Sequence, residues 1–205
     1  MKKIEKMKYL LIIIALYIST NCYSQKIKAP YNFIVSKTVG DLNKDKLDDL
    51  VVVSQDSLNE NRPYRVQIFF AKPIGGYKLI ATADSAIQAQ YPHGNGNSGD
   101  VFFVNIKIEN GILVIYNDLI RGHYEHKFRH QNNNMELIGF TIINSNGNGI
   151  IDSRDFNLST GVMIETIEHY DGDGETTTKK KVLKIKPLPI IQTFAPYTEK
   201  TKYLF

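Results

Sequence analysis

Cysteine is nearly missing from this chain, tryptophan is missing altogether, and no stretch is apolar for long enough to cross a bilayer as a helix. Cys22 is the single cysteine among 205 residues. One thiol cannot close an internal disulfide or build a cysteine-ligated zinc site, so stability must come from packing, hydrogen bonds or metal held by other ligands. The longest apolar run, "YLLIIIALYI" at 9–18, is about ten residues, where a spanning helix needs roughly twenty. No later segment carries the period of an amphipathic helix. The G-x-S-x-G elbow and the H-E-x-x-H zinc helix are both lacking, so two common hydrolase chemistries have no sequence support.

What is there begins with an address. "MKKIEKMK" followed by the short apolar run reads as a secretory signal peptide over 1–24, with cleavage expected between Ser24 and Gln25. The alternative is a lipoprotein anchored through Cys22, although Ser19 and Asn21 stand where a lipobox has an aliphatic and a small residue. The expected location is exported, periplasmic or secreted, with a membrane partner only if Cys22 is lipidated. The signal holds four of the 25 basic and one of the 21 acidic side chains, leaving 21 against 20 in the mature chain. A near-neutral domain has no global pull toward nucleic acid. About 180 residues suit one domain with a full core.

Strand character recurs throughout. "YRVQIFFA", the turn "KPIGG" and "YKLIATA" form one hairpin pattern, and "VFFVNIKI", "ENG" and "ILVIYN" another, with Asn110-Gly111 as the turn. "HYEHKFRH" alternates, placing Tyr124, His126, Phe128 and His130 on one face and His123, Glu125, Lys127 and Arg129 on the other. "MELIGFTII", "DFNL", "VMIETIEHY" and "KVLKIK" continue the series between Asn- and Gly-rich turns. The expectation is an all-β domain over 25–186, an antiparallel meander folded as a sandwich or strongly curved sheet. Residues 187–205 form a C-terminal tail with three prolines, which either packs across the sheet or stays partly loose.

The most specific motif is "GDLNKDKLDDLVVV", residues 40–53. Asp41, Asn43 and Asp45 alternate, so a tight loop can turn all three inward. The backbone carbonyl of Leu47 offers a further oxygen, and Asp49 closes the set. Crowded carboxylates repel unless a cation sits among them, and an all-oxygen shell suits Ca²⁺. This is not an EF-hand, because the twelfth position is Val52 and no helix follows. Together with "RVQIFFAKPIGGY" and "KLIATAD", the loop resembles a single FG-GAP or VCBS repeat over about 39–84. That resemblance implies a calcium cofactor held by Asp41, Asn43, Asp45, Leu47 and Asp49. Lys46 stands where the family has glycine, a position whose left-handed backbone costs other residues about 1 kcal/mol. One clear repeat cannot make a propeller, which needs at least about four blades.

Other motifs have plainer readings. "NSNGNGIID" echoes the spacing at Asn144, Asn146, Asn148 and Asp152 but reads as a hairpin turn. "GNGNSG" at 94–99 matches a dinucleotide fingerprint without the flanking strand and helix that such a site needs. His126 and His130 stand about 13 Å apart on a strand and His123 points away, so no zinc site is expected. "TTTKKKVLKIK" places Lys179 and Lys181 on one face and Lys180, Lys184 and Lys186 on the other. Such lysines block unwanted edge pairing or contact an anionic surface. The sum points to a non-catalytic domain that binds a protein or glycan partner, with the 93–100 loop and the 171–186 hairpin as candidate surfaces. The alternatives are a secreted hydrolase with paired carboxylates and a structural envelope lipoprotein.

Overall fold

The computed structural model describes residues 30–94, 96–170 and 174–205. The expected signal peptide, Cys22 and residues 171–173 of the 171–175 turn lie outside these residues. The described chain is all-β, without a helix, in two antiparallel sheets that do not close into a barrel. The first sheet is a meander of β1 (Phe33–Gly40), β2 (Asp49–Gln55), β3 (Tyr64–Ala71) and β4 (Tyr77–Ala83). The second continues the meander through β5 (Val101–Glu109), β6 (Ile112–Leu119), β7 (Gly122–Gln131), β8 (Asn134–Ser145), β9 (Ile150–Asn157), β10 (Val162–His169) and β11 (Thr177–Val182). Neighbours in sequence are therefore neighbours in space. At the β5–β6 turn Asn110 (φ 51°) and Gly111 (φ 74°) are both left-handed, the pair that a two-residue hairpin with the natural strand twist requires.

The two sheets share one core because their facing sides are apolar at every second position. Val51 and Val53 of β2, Tyr64, Val66 and Ile68 of β3, and Ala81 and Ala83 of β4 are buried. On the second sheet, one row of directly paired residues crosses all seven strands: Ile106, Ile115, His126, Phe140, Phe156, Met163 and Lys181. The next row runs Phe103, Asn117, Tyr124, Ile142, Arg154, Glu165 and Lys179. Both rows are mainly apolar from β5 to β8 and turn charged toward β11, so the buried face has a wet end.

The tail packs. The Leu137 N–H donates to the Pro189 carbonyl at 2.8 Å, and Ile191 N–H donates to Met135 at 2.9 Å, joining the segment to β8. Leu188, Ile191, Phe194 and Leu204 are buried in the same core as the strands. Two expectations shift. β1, "FIVSKTVG", is a strand that apolar alternation did not mark, because its side chains are mostly exposed. β11 is "TTKKKV" rather than "KVLKIK": pairing ends where Val162 meets Val182, and Leu183 N–H caps Gly161 at 2.8 Å. Lys184 and Lys186 thus lie beyond the strand.

Candidate functional site

The 41–49 loop is drawn around its own acids. Asp41 Oδ1 accepts N–H bonds from Lys44 (2.6 Å) and Asp45 (3.2 Å), and Asp41 Oδ2 accepts from Lys46 (2.9 Å). Asn43 Oδ1 accepts from Asp45 N–H at 3.0 Å, and Asp45 Oδ1 from Leu47 N–H at 2.8 Å. The Asn43 amide donates to Asp45 Oδ2 at 3.0 Å. Lys44 (φ 68°) and Lys46 (φ 69°) are left-handed, so the place where the resembled family carries glycine has the backbone that glycine favours.

Asp49 sits beneath this loop, fully buried. Its Oδ2 accepts from Leu42 N–H and its Oδ1 from Ala71 N–H, both at 2.9 Å, clasping the start of the loop to the end of β3. Burial pushes its carboxyl pKa up, the two N–H bonds pull it down, and Asp45 and Asp41 push it up again. Asp41, Asn43 and Asp45 are thus brought together, while Asp49 faces the backbone below them. Among the described residues, no three His, Cys, Asp or Glu side chains are arranged to hold a metal ion. Asp49→Asn keeps one acceptor and turns an amide against the other N–H. We expect it to cost about 1–3 kcal/mol in urea unfolding, the penalty for one unmet buried donor.

The histidines do not converge. His123 stacks on Tyr116 with centroids 5.2 Å apart, and His130 meets the edge of Phe70 at 4.9 Å. His126 is fully buried among Tyr124, Phe140, Phe194 and Phe205, and among the described residues neither ring nitrogen has a hydrogen-bond partner. In the 93–100 region, Gly94 N–H bonds Tyr91 at 3.0 Å, and the Asn61 amide also holds Tyr91 at 2.9 Å. A strand follows this Gly-rich loop, as the sequence indicated.

Sequence reasoning missed a second constellation, at the wet end of the larger sheet. Arg154 Nε lies 3.3 Å from Glu165 Oε1, and Lys181 Nζ lies 2.6 Å from Glu165 Oε2. Arg154 Nη1 donates to the Leu204 carbonyl at 2.9 Å, tying β9 to the tail. Lys181, with help from Arg154, holds the Glu165 carboxyl below its ordinary pKa. Two cavities, of about 250 and 490 Å³, flank this trio and share Arg154, Glu165 and Phe205. A period-2 reading of "DSRDF" and "MIE" puts Asp152, Arg154 and Glu165 in line with buried Phe156 and Met163; inward charge in an apolar alternation is the signal that marks the site. No family model, curated protein or solved structure matches the chain.

Proposed function

We propose that this protein is an exported, non-catalytic β-domain that binds a protein or glycan partner, with its acidic loop stiffened by calcium. The observation that carries the non-catalytic reading is the use of its acids. Asp49 is the only buried acid among the described residues, and both its oxygens are committed to backbone N–H groups. Asp152 and Glu165 do line one cavity, but Glu165 is kept ionised by Lys181 and Arg154. A general acid in a carboxylate pair needs the opposite shift.

The calcium reading rests on charge. A fully buried carboxylate lies under two more acids that repel it, and a divalent ion held by Asp41, Asn43, Asp45 and the Leu47 carbonyl relieves that repulsion while Asp49 stays on Leu42 and Ala71. The N–H bonds already made leave lone pairs on most of these oxygens. Calcium at ten times its Kd adds about 1.4 kcal/mol, so thermal unfolding should rise by about 3–6 °C between EGTA and saturating calcium. Asp41→Asn should abolish the rise, and Lys46→Gly, which removes a neighbouring positive charge, should reach it at lower calcium. A Tm unchanged by chelator overturns the calcium assignment and leaves the self-capped loop as its full explanation.

A further inference from the structure

We propose that the two adjoining cavities around Arg154, Glu165 and Phe205 form a binding site for a short neutral saccharide. This rests on the binding reading above and gives it a place and a ligand class. The floor of the site is the charged end of rows that are otherwise buried: Arg154 on β9, Glu165 on β10 and Lys181 on β11. Asp152 lines the smaller cavity, and Lys181 and Tyr203 line the larger one. Two cations and two carboxylates cancel, so the site attracts no net charge and favours a neutral ligand over an acidic one.

The donor and acceptor pattern fits a polyol. A sugar hydroxyl donates and accepts at once, and it is held best between fixed charged partners that offer both roles. Glu165 supplies acceptor lone pairs beyond those used by its cations. The Lys181 ammonium is more than half exposed and spends one N–H on Glu165, so it keeps donors to spare for a hydroxyl. The rings of Tyr203 and Phe205 are partly exposed and line the larger cavity, offering apolar surface to the C–H groups of a sugar, although Tyr197 already stacks on one face of Phe205 at 4.0 Å. An apolar ligand would strand the charges, and a bare anion would leave the rings without a partner.

The site is held on rigid parts. Arg154 and Glu165 are directly paired across β9 and β10, and the tail segment that carries the two rings is fixed by the Arg154–Leu204 bond. Saccharide binding therefore needs no rearrangement of the fold.

Calorimetric titration of the full chain with cellotetraose, chitotetraose and mannotetraose, and with trigalacturonate as the acidic arm, tests this. At least one neutral oligosaccharide should bind. Lys181→Ala and Glu165→Gln should each weaken it by about tenfold or more, the effect of losing one hydrogen bond to a charged group. Circular dichroism of both variants, and the melting temperature of Lys181→Ala, should stay close to the parent, since Lys181 is more than half exposed. Failure of all three neutral sugars, or binding of trigalacturonate alone, overturns the proposal. Binding that both variants retain moves the sugar elsewhere, overturning the site while the binding reading stands. Cleavage of a bound oligosaccharide overturns the non-catalytic reading and leaves the groove in place.

Discussion

Truncation before Pro187 should leave a chain that does not fold. The removed segment includes Leu188, Ile191, Phe194 and Leu204, which are 7, 0, 2 and 0 % exposed. Burying a large apolar side chain contributes about 1.5–3 kcal/mol, so the four together are worth about 6–12 kcal/mol. That is comparable to the whole net stability of a domain, about 5–15 kcal/mol. The truncation also strips the partners of Leu137 N–H and the Met135 carbonyl, and it uncovers His126, Phe128 and Phe140. Phe194→Ala is the graded version. Its ring lies 4.7 Å from His126 and 5.5 Å from Phe128, in a site with little freedom to collapse. A loss of about 3–5 kcal/mol is expected in urea unfolding followed by far-UV circular dichroism. An unchanged midpoint for the truncated chain would mean that the tail is not part of the core.

Acidification from pH 7 to pH 5 should cost about 2 kcal/mol through His126 alone. Burial without a hydrogen-bond partner lowers this imidazole from 6.5 to about 3. Between those values the unfolded chain binds a proton that the folded chain refuses, so stability is full above pH 6.5 and falls as the pH drops. By pH 3, where the folded-state imidazole is itself half protonated, the loss amounts to about 4 kcal/mol. The side chains packed on the ring are Tyr124, Phe140, Phe194 and Phe205, which bring no carboxylate to hold a proton there. Asp49 acts in the opposite sense, since its raised carboxyl takes up a proton first in the folded state. Glu165, whose pKa is lowered, loses its contribution only as the pH falls through and below the ordinary carboxylate range. His126→Leu should therefore be at least as stable at pH 7 and lose the dependence between pH 7 and 5. A parent protein equally stable at both pH values would refute the role given to His126.

Much of the strand order was legible because a meander is local. The alternation of "HYEHKFRH" placed His126 and His123 on opposite faces, and the Asn-Gly pair at 110–111 placed a hairpin, since both depend on the backbone of adjacent residues. β1 was not legible, because its role is to pair with β2 while its side chains stay largely in water. The groove around Arg154 was legible only in part, as charge on the buried-side face of β9 and β10. Its members come from β9, β10, β11 and the tail, and no spacing in the sequence records how far the tail reaches across the sheet.

The acidic loop divides the same way. That Asp41, Asn43 and Asp45 gather follows from their spacing in a tight turn, where short polar side chains cap the backbone two to five residues on. That Asp49 turns beneath them to hold Ala71 depends on where β3 ends in space. The all-β class, the turns and the gathering of Asp41, Asn43 and Asp45 arise from neighbouring residues and could be read from their order alone. It took the packed chain to show that the tail completes the core, that His126 is sealed among aromatic rings, and that Arg154, Glu165 and Lys181 meet. Those outcomes depend on which surfaces pack together to exclude water, and the residues involved lie far apart in sequence, Arg154 and Leu204 by 50 positions.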